Sequence, residues 1–147
     1  MLPKYYRFRV LSALDSTLTY NDGARVNLRF LPWKLTSGAL VYGTVITDDF
    51  GFGAGDTIAA AGQEEGTVED NTANLYLGGS GFFQVIADLS GTDGTMYLYM
   101  ELSDDNTNWP SDGTDFDITT DMILVCALAM STDAVDETRS KNFEIVV

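Results

Sequence analysis

Apolar and polar residues alternate from the start of the chain. In Tyr5-Tyr6-Arg7-Phe8-Arg9-Val10, one face reads Tyr6, Phe8, Val10 and the other Tyr5, Arg7, Arg9. A period of two is the mark of a half-buried strand. The pattern returns after the turn signal Asn21-Asp22-Gly23, where Val26, Leu28 and Phe30 alternate with Arg25, Asn27 and Arg29. The arginines therefore line the outward faces of two strands and predict a basic sheet surface. Pro32 lacks a backbone donor and should stop or bend the second of them. A further strand is predicted over Ala39–Thr47.

From Asp48 to Asn71 the pattern lapses. Gly51, Gly53, Gly55, Gly62 and Gly66 punctuate a stretch with few bulky apolar residues. It reads as a long loop, at about 48–72, with one helical turn near Ala59–Glu64. Strand signals resume at Asn74–Leu77 and Phe82–Leu89. Ser90-Gly91-Thr92-Asp93-Gly94 reads as a turn. Thr95–Leu102 follows and is apolar on both faces, with Met96, Leu98, Met100 and Leu102 on one and Tyr97 and Tyr99 on the other. Such a strand is covered on both sides. Residues 103–120 are polar and turn-rich. Met122–Met130 is the most apolar run, Thr132–Lys141 a polar connection, and Asn142–Val147 a closing strand with Phe143, Ile145 and Val147 on one face. These seven or eight strands predict one all-β domain over residues 1–147. The expected architecture is an antiparallel sandwich, jelly-roll or immunoglobulin-like.

Charge narrows the partners. The 147 residues carry a net charge of −14. A phosphate backbone would be repelled, which argues against nucleic acid. The distribution is uneven. Residues 1–34 hold six basic residues against two acids, and residues 35–147 hold two basic residues against twenty acids. A basic first quarter and an acidic remainder predict pairing within one molecule, or head-to-tail contact between copies. Lys4, Arg7 and Arg9 interrupt any signal-peptide core, and no run approaches the ~18 apolar residues of a membrane span. The expectation is a chain made in a cytoplasm and not held in a membrane.

The available chemistry is sparse. Histidine is absent and Cys126 is the only cysteine. Ser-His, Cys-His and thiolate-zinc arrangements are thereby excluded. Cys126 lies within Met-Ile-Leu-Val-Cys-Ala-Leu-Ala-Met and reads as a buried apolar residue. The acids of residues 104–117 read as solvated turn residues before they read as a glycosidase pair, so no catalytic residue is assigned and no enzyme is expected. Asp112, Asp115 and Asp117 are the calcium candidates, although their spacing is not that of an EF-hand. Gly51-Phe52-Gly53-Ala54-Gly55 lacks the following Lys-Ser or Lys-Thr of a phosphate loop. Trp109 reads as a lid folded over one end of the sandwich, or else as an anchor for an interface or a sugar face. The interface candidates are Arg7, Arg9, Arg25, Arg29, Tyr97, Tyr99 and Trp109.

One segment has a familiar form. Phe82-Phe83-Gln84-Val85 leads through Ser90-Gly91-Thr92-Asp93-Gly94 into Met96-Tyr97-Leu98-Tyr99-Met100-Glu101-Leu102-Ser103. Asp104-Asp105-Asn106-Thr107-Asn108-Trp109-Pro110 follows. This strand and its Trp-Pro loop resemble small β-sandwich structural proteins of tailed bacteriophage virions. Val26-Asn27-Leu28-Arg29 before Pro32-Trp33-Lys34 fits the same likeness, which covers about a quarter of the chain. The resemblance implies a virion component, tail-associated in preference to capsid decoration. Its expected partners are copies of itself and other virion proteins. The alternative is a carbohydrate-binding sandwich that uses Trp109 and the acidic 104–117 loop, with calcium as its one candidate cofactor.

Overall fold

The structure is a computed structural model that describes residues 1–19, 25–52, 56–87, 93–110, 122–131 and 137–146. Two antiparallel five-stranded sheets pack face to face as a β-sandwich. In the first, β1 (Tyr5–Leu14) lies between β10 (Asp93–Ser103) and two short strands, β7 (Gln63–Glu65) and β8 (Glu69–Asp70); β11 (Met122–Ser131) lies beyond β10. In the second, β3 (Arg25–Thr36) lies between β9 (Gly78–Ala87) and the short strands β4 (Ala39–Tyr42) and β5 (Ile46–Asp48); β12 (Glu137–Val146) lies beyond β9. A small ribbon pairs β2 (Leu18–Thr19) with β6 (Thr57–Ile58).

The all-β sandwich is as the alternation predicts, with twelve strands among the described residues where seven or eight were expected. The excess has a simple origin. β7 and β8 share one edge of β1, β4 and β5 share one edge of β3, and the ribbon adds two. Pro32 explains the break between β4 and β5. It does not end β3, which runs on to Thr36. Its carbonyl accepts from Gly43 N at 2.8 Å, so its donorless nitrogen faces the gap between the two short strands and not β9. Other boundaries also move. The expected loop at 48–72 contains β6, β7 and β8, and its 59–64 segment is a turn leading into β7, not a helical turn. Residues 74–77 form no strand, while β12 begins at Glu137 inside the expected polar connection. The predicted turn at 21–23 and residues 90–92 of the one at 90–94 lie outside the described residues, while Asp93 and Gly94 of the latter belong to β10.

The core is built from the inward faces the alternation marks. Tyr6, Phe8 and Val10 face Val26, Leu28 and Phe30 across the interior, with Met96, Leu98, Met100, Phe83 and Val85 completing it. Each such side chain contributes about 1.5–3 kcal/mol by leaving water. Four rings form its centre. Phe8 and Phe30 meet edge-on with centroids 5.2 Å apart, and Phe30 and Phe143 stack at 11°. Two glycines make room for them. A Cβ on Gly79 would lie 2.2 Å from the Phe30 ring, and one on Gly81 would lie 2.2 Å from the Phe143 ring. Here glycine admits an aromatic ring over the strand. Cys126 is part of this core, as expected, and burial pushes its thiol up to about 11.

Two buried polar side chains pin the loops. Asn71 donates to the carbonyls of Leu2 at 3.1 Å and Pro3 at 3.2 Å, and its Oδ1 accepts from Tyr76 N at 2.7 Å. Asp48 accepts from Phe50 N and Thr67 N, both at 2.7 Å. The edges of β11 and β12 are bridged by Arg139, which donates to Ser131 O at 2.6 Å, and by Lys141, which donates to Ala127 O at 3.5 Å.

Candidate assembly surfaces

A sandwich offers two outer faces, and here they differ. On the outer face of the first sheet the arginines of β1 are covered by the chain itself, while Leu124 on β11 stays exposed. Arg7 lies opposite Glu101, and Arg9 opposite both Tyr99 and Glu65. Glu101 is fully buried; one carboxylate oxygen accepts from Arg7 Nε at 2.6 Å and the other from Arg9 Nε at 2.9 Å. Glu65 takes Arg9 Nη2 at 3.1 Å and also Arg7 Nη1. Two positive and two negative charges thus cancel in one cluster. The Trp109 ring covers it, with the Arg7 guanidinium carbon 4.3 Å from the ring centroid.

The loop before Trp109 is held by its own side chains. Ser103 Oγ accepts from Asn106 N at 3.1 Å, and Asn106 adopts a positive φ of 59°. Asp105 Oδ1 accepts from Thr107 N and Asn108 N, both at 2.9 Å, while Oδ2 accepts from Asn108 Nδ2 at 2.6 Å. Those bonds, the Asn108 amide first, hold the Asp105 carboxyl well below the usual carboxylate range. Polar residues in turns bond to nearby backbone in this way. The result is a rigid bracket that sets the indole over the arginine.

Several interface expectations change accordingly. Arg7 and Arg9 do not form a basic surface: they are 7% and 6% exposed, and their charge is spent on Glu101 and Glu65. Tyr99 is buried and Tyr97 half-buried, with their rings 6.2 Å apart. Trp109 acts as a lid, although over an outer sheet face and not over the end of the sandwich. Glu101 is not among the residues singled out from the sequence. Only the strand register, joining residues 94 apart, sets it against Arg7. Beside Trp109 lies a shallow hollow of about 470 Å³ lined by Pro3, Leu102, Asp104, Asn108 and Pro110, among others. The calcium candidates Asp112, Asp115 and Asp117 lie outside the described residues. Among the described residues, no three or more acidic or cysteine side chains converge on a metal-sized site.

The outer face of the second sheet is open. Its register aligns Trp33 with Gly78 and Val146, Leu31 with Ser80 and Glu144, and Arg29 with Phe82 and Asn142. Beyond the body of the sheet, β3 and β4 continue as a hairpin. Its turn residues Ser37 and Gly38 have φ of 53° and 81°, the primed geometry that matches strand twist. On this face the hairpin carries the cross-strand pairs Trp33–Tyr42 and Leu35–Leu40. Leu35 is 55% exposed, Leu40 49%, Tyr42 56% and Val146 69%. Exposed apolar patches of this kind are where proteins meet partners, ligands or membranes. Next to it, Arg29, Leu31, Val45, Phe82 and Asn142 line a hollow of about 500 Å³.

Among the interface candidates whose side chains are described, Arg29 is exposed on this face. Arg25 lies on the same strand, opposite Ile86. Lys34 sits on the other side of the hairpin, where it donates to Asn74 O at 2.9 Å. The apolar residues Leu35, Leu40, Tyr42 and Val45 are the ones alternation did not single out. A signal existed: residues 35–47 contain no charged residue in a chain with 30 of them. Comparison with known proteins returns no match to any family model, curated protein or solved structure.

Proposed function

We propose that this chain is a non-enzymatic structural component of a tailed-bacteriophage virion. It assembles with copies of itself and with other virion proteins, associated with the tail in preference to decorating the capsid. It is made in the host cytoplasm and resides in the particle. The observation that carries the assembly role is the open apolar stripe on the second sheet, where Leu35, Leu40, Tyr42 and Val146 face solvent. The assignment to a virion draws on the resemblance of the 82–112 segment. A net charge of −14 disfavours nucleic acid as the partner.

The carbohydrate-binding alternative is weaker on geometry. A sugar ring needs a free aromatic face, and Arg7, 4.3 Å from the Trp109 centroid, takes up one of its two. Asp105 is committed to its own loop. Mass spectrometry of phage particles purified from cells that carry the gene tests the virion reading. The chain should be present at a fixed ratio to the major structural proteins and resist a salt wash. Particles that lack it would end the virion reading. Retention of the chain on a glycan column, lost in Trp109→Ala, would support the alternative.

A further inference from the structure

The assembly reading leaves open which surface meets which. The geometry points to a second copy of this chain, paired antiparallel through strand β4 about a twofold axis at Val41. The inference deepens that reading and rests on it for its biological setting.

The backbone of β4 is ready for such a pairing. The two-residue turn makes Thr36–Ala39 the closing, hydrogen-bonded pair, so hydrogen-bonded and open pairs alternate from there. Lys34–Val41 is then bonded, whereas Leu35–Leu40 and Trp33–Tyr42 are open. Gly43 N donating to Pro32 O continues the same alternation. The amides and carbonyls of Leu40 and Tyr42 therefore point away from β3. Among the described residues, no strand pairs that edge. Setting Leu40 of each copy opposite Tyr42 of the other satisfies these groups and brings the two Val41 side chains together.

The side chains favour a like copy over a charged partner. All four residues of β4 are exposed, and they are apolar on both faces: Leu40 and Tyr42 on one, Ala39 and Val41 on the other. An edge strand left free normally carries a charge or a proline to prevent pairing. This one has neither. Two chains of −14 each repel, so self-contact must form where the charge is not. Residues 35–47 and 71–87 are both free of charge, and they lie together: a Cβ on Gly43 would lie 2.2 Å from the Tyr76 hydroxyl. A basic partner would be drawn to the acids elsewhere and would find nothing to bind here. An isologous contact uses the same patch on both copies, and the twofold brings no like charges face to face.

Sedimentation equilibrium of the full chain, over concentration and salt, tests this. A dimer should form and tighten as salt rises, because salt screens the repulsion between the bodies while the contact itself is uncharged. Leu40→Pro removes an outward amide while keeping every β3–β4 bond, and Val41→Lys sets two ammonium groups face to face at the axis. Each should weaken the dimer at least about tenfold, with the dichroism spectrum unchanged. Leu124→Lys, on the outer face of the first sheet, should leave it intact. If Leu40→Pro does not fold, Val41→Lys decides. A chain that stays monomeric throughout overturns the pairing, as does a dimer indifferent to Val41→Lys or one equally sensitive to Leu124→Lys. The two readings separate cleanly. A monomer found in particles sinks the twofold and spares the virion role, whereas a salt-tightened dimer missing from particles does the reverse.

Discussion

Glu101→Gln should be among the most damaging single changes in this protein. The side chain is fully buried, and each carboxylate oxygen accepts from an arginine Nε, at 2.6 and 2.9 Å. Glutamine keeps the shape but removes the charge, and it turns an NH₂ donor toward an arginine donor. Arg7 and Arg9, 7% and 6% exposed, would lose their buried carboxylate and keep, among the described acids, the half-exposed Glu65. Breaking a buried pair in this way costs about 3–5 kcal/mol, out of a total of about 5–15 kcal/mol for a domain. Each kcal/mol moves the melting temperature of a chain this size by about 2–4 °C, so a drop of roughly 6–20 °C is expected. Thermal melts followed by dichroism, with urea titrations for the free energy, measure it. A companion variant isolates the cause. Replacing Arg7, Arg9 and Glu101 together by Met, Leu and Leu removes all three charges and should restore most of the loss, because well-packed apolar residues often match a buried ion cluster. A Glu101→Gln protein that melts within about 2 °C of the parent, a shift worth no more than about 1 kcal/mol, would refute the argument. A triple variant as damaged as the single would refute it too.

Three further outcomes follow from other sites. Gly81→Ala drives a methyl group into the Phe143 ring, and should cost about 1–3 kcal/mol in urea unfolding; adding Phe143→Leu should recover part of that loss, which a double-mutant cycle reads directly. Asn71→Ala orphans the buried amide of Tyr76 and should cost about 1–3 kcal/mol, with hydrogen exchange at Tyr76 N speeding before that of the core strands. Glu69→Gln bears on pH. Burial, with Asp48 adding to it, raises the Glu69 carboxyl above its ordinary value. The folded state therefore resists its ionisation, a penalty absent below the unfolded value and complete above the folded one. The substitution should raise the melting temperature at pH 7, and the gain should disappear below about pH 4, where glutamate is neutral in both states. A gain that persists in acid would assign the effect to something other than ionisation.

The class of fold was legible because a strand half in water must alternate, and alternation is a property of consecutive residues. Tyr6-Phe8-Val10 and Val26-Leu28-Phe30 marked their inward faces without any knowledge of what they face. Cys126 was placed in the core on the same ground, by its apolar neighbours. Tertiary structure decided everything that depends on register between distant strands. Arg7 and Arg9 stood on an outward face, as read. Their guanidinium groups are buried there because β10 sets Glu101 opposite Arg7 and the loop after β10 places Trp109 over Arg7. Pro32 was read as a terminator; the gap it needs falls between β4 and β5, so β3 passes through. The glycines opening β9 fall between the two strands expected at 74–77 and 82–89, and only the packing of Phe30 and Phe143 shows what their missing side chains make room for. The β4 strand of the hairpin is apolar on both faces, and only the outline of the sandwich reveals that nothing described lies above Leu35, Leu40 and Tyr42. Local sequence sets which way a side chain points relative to its own strand, while long-range pairing sets what waits there, whether water, a counter-charge or another surface.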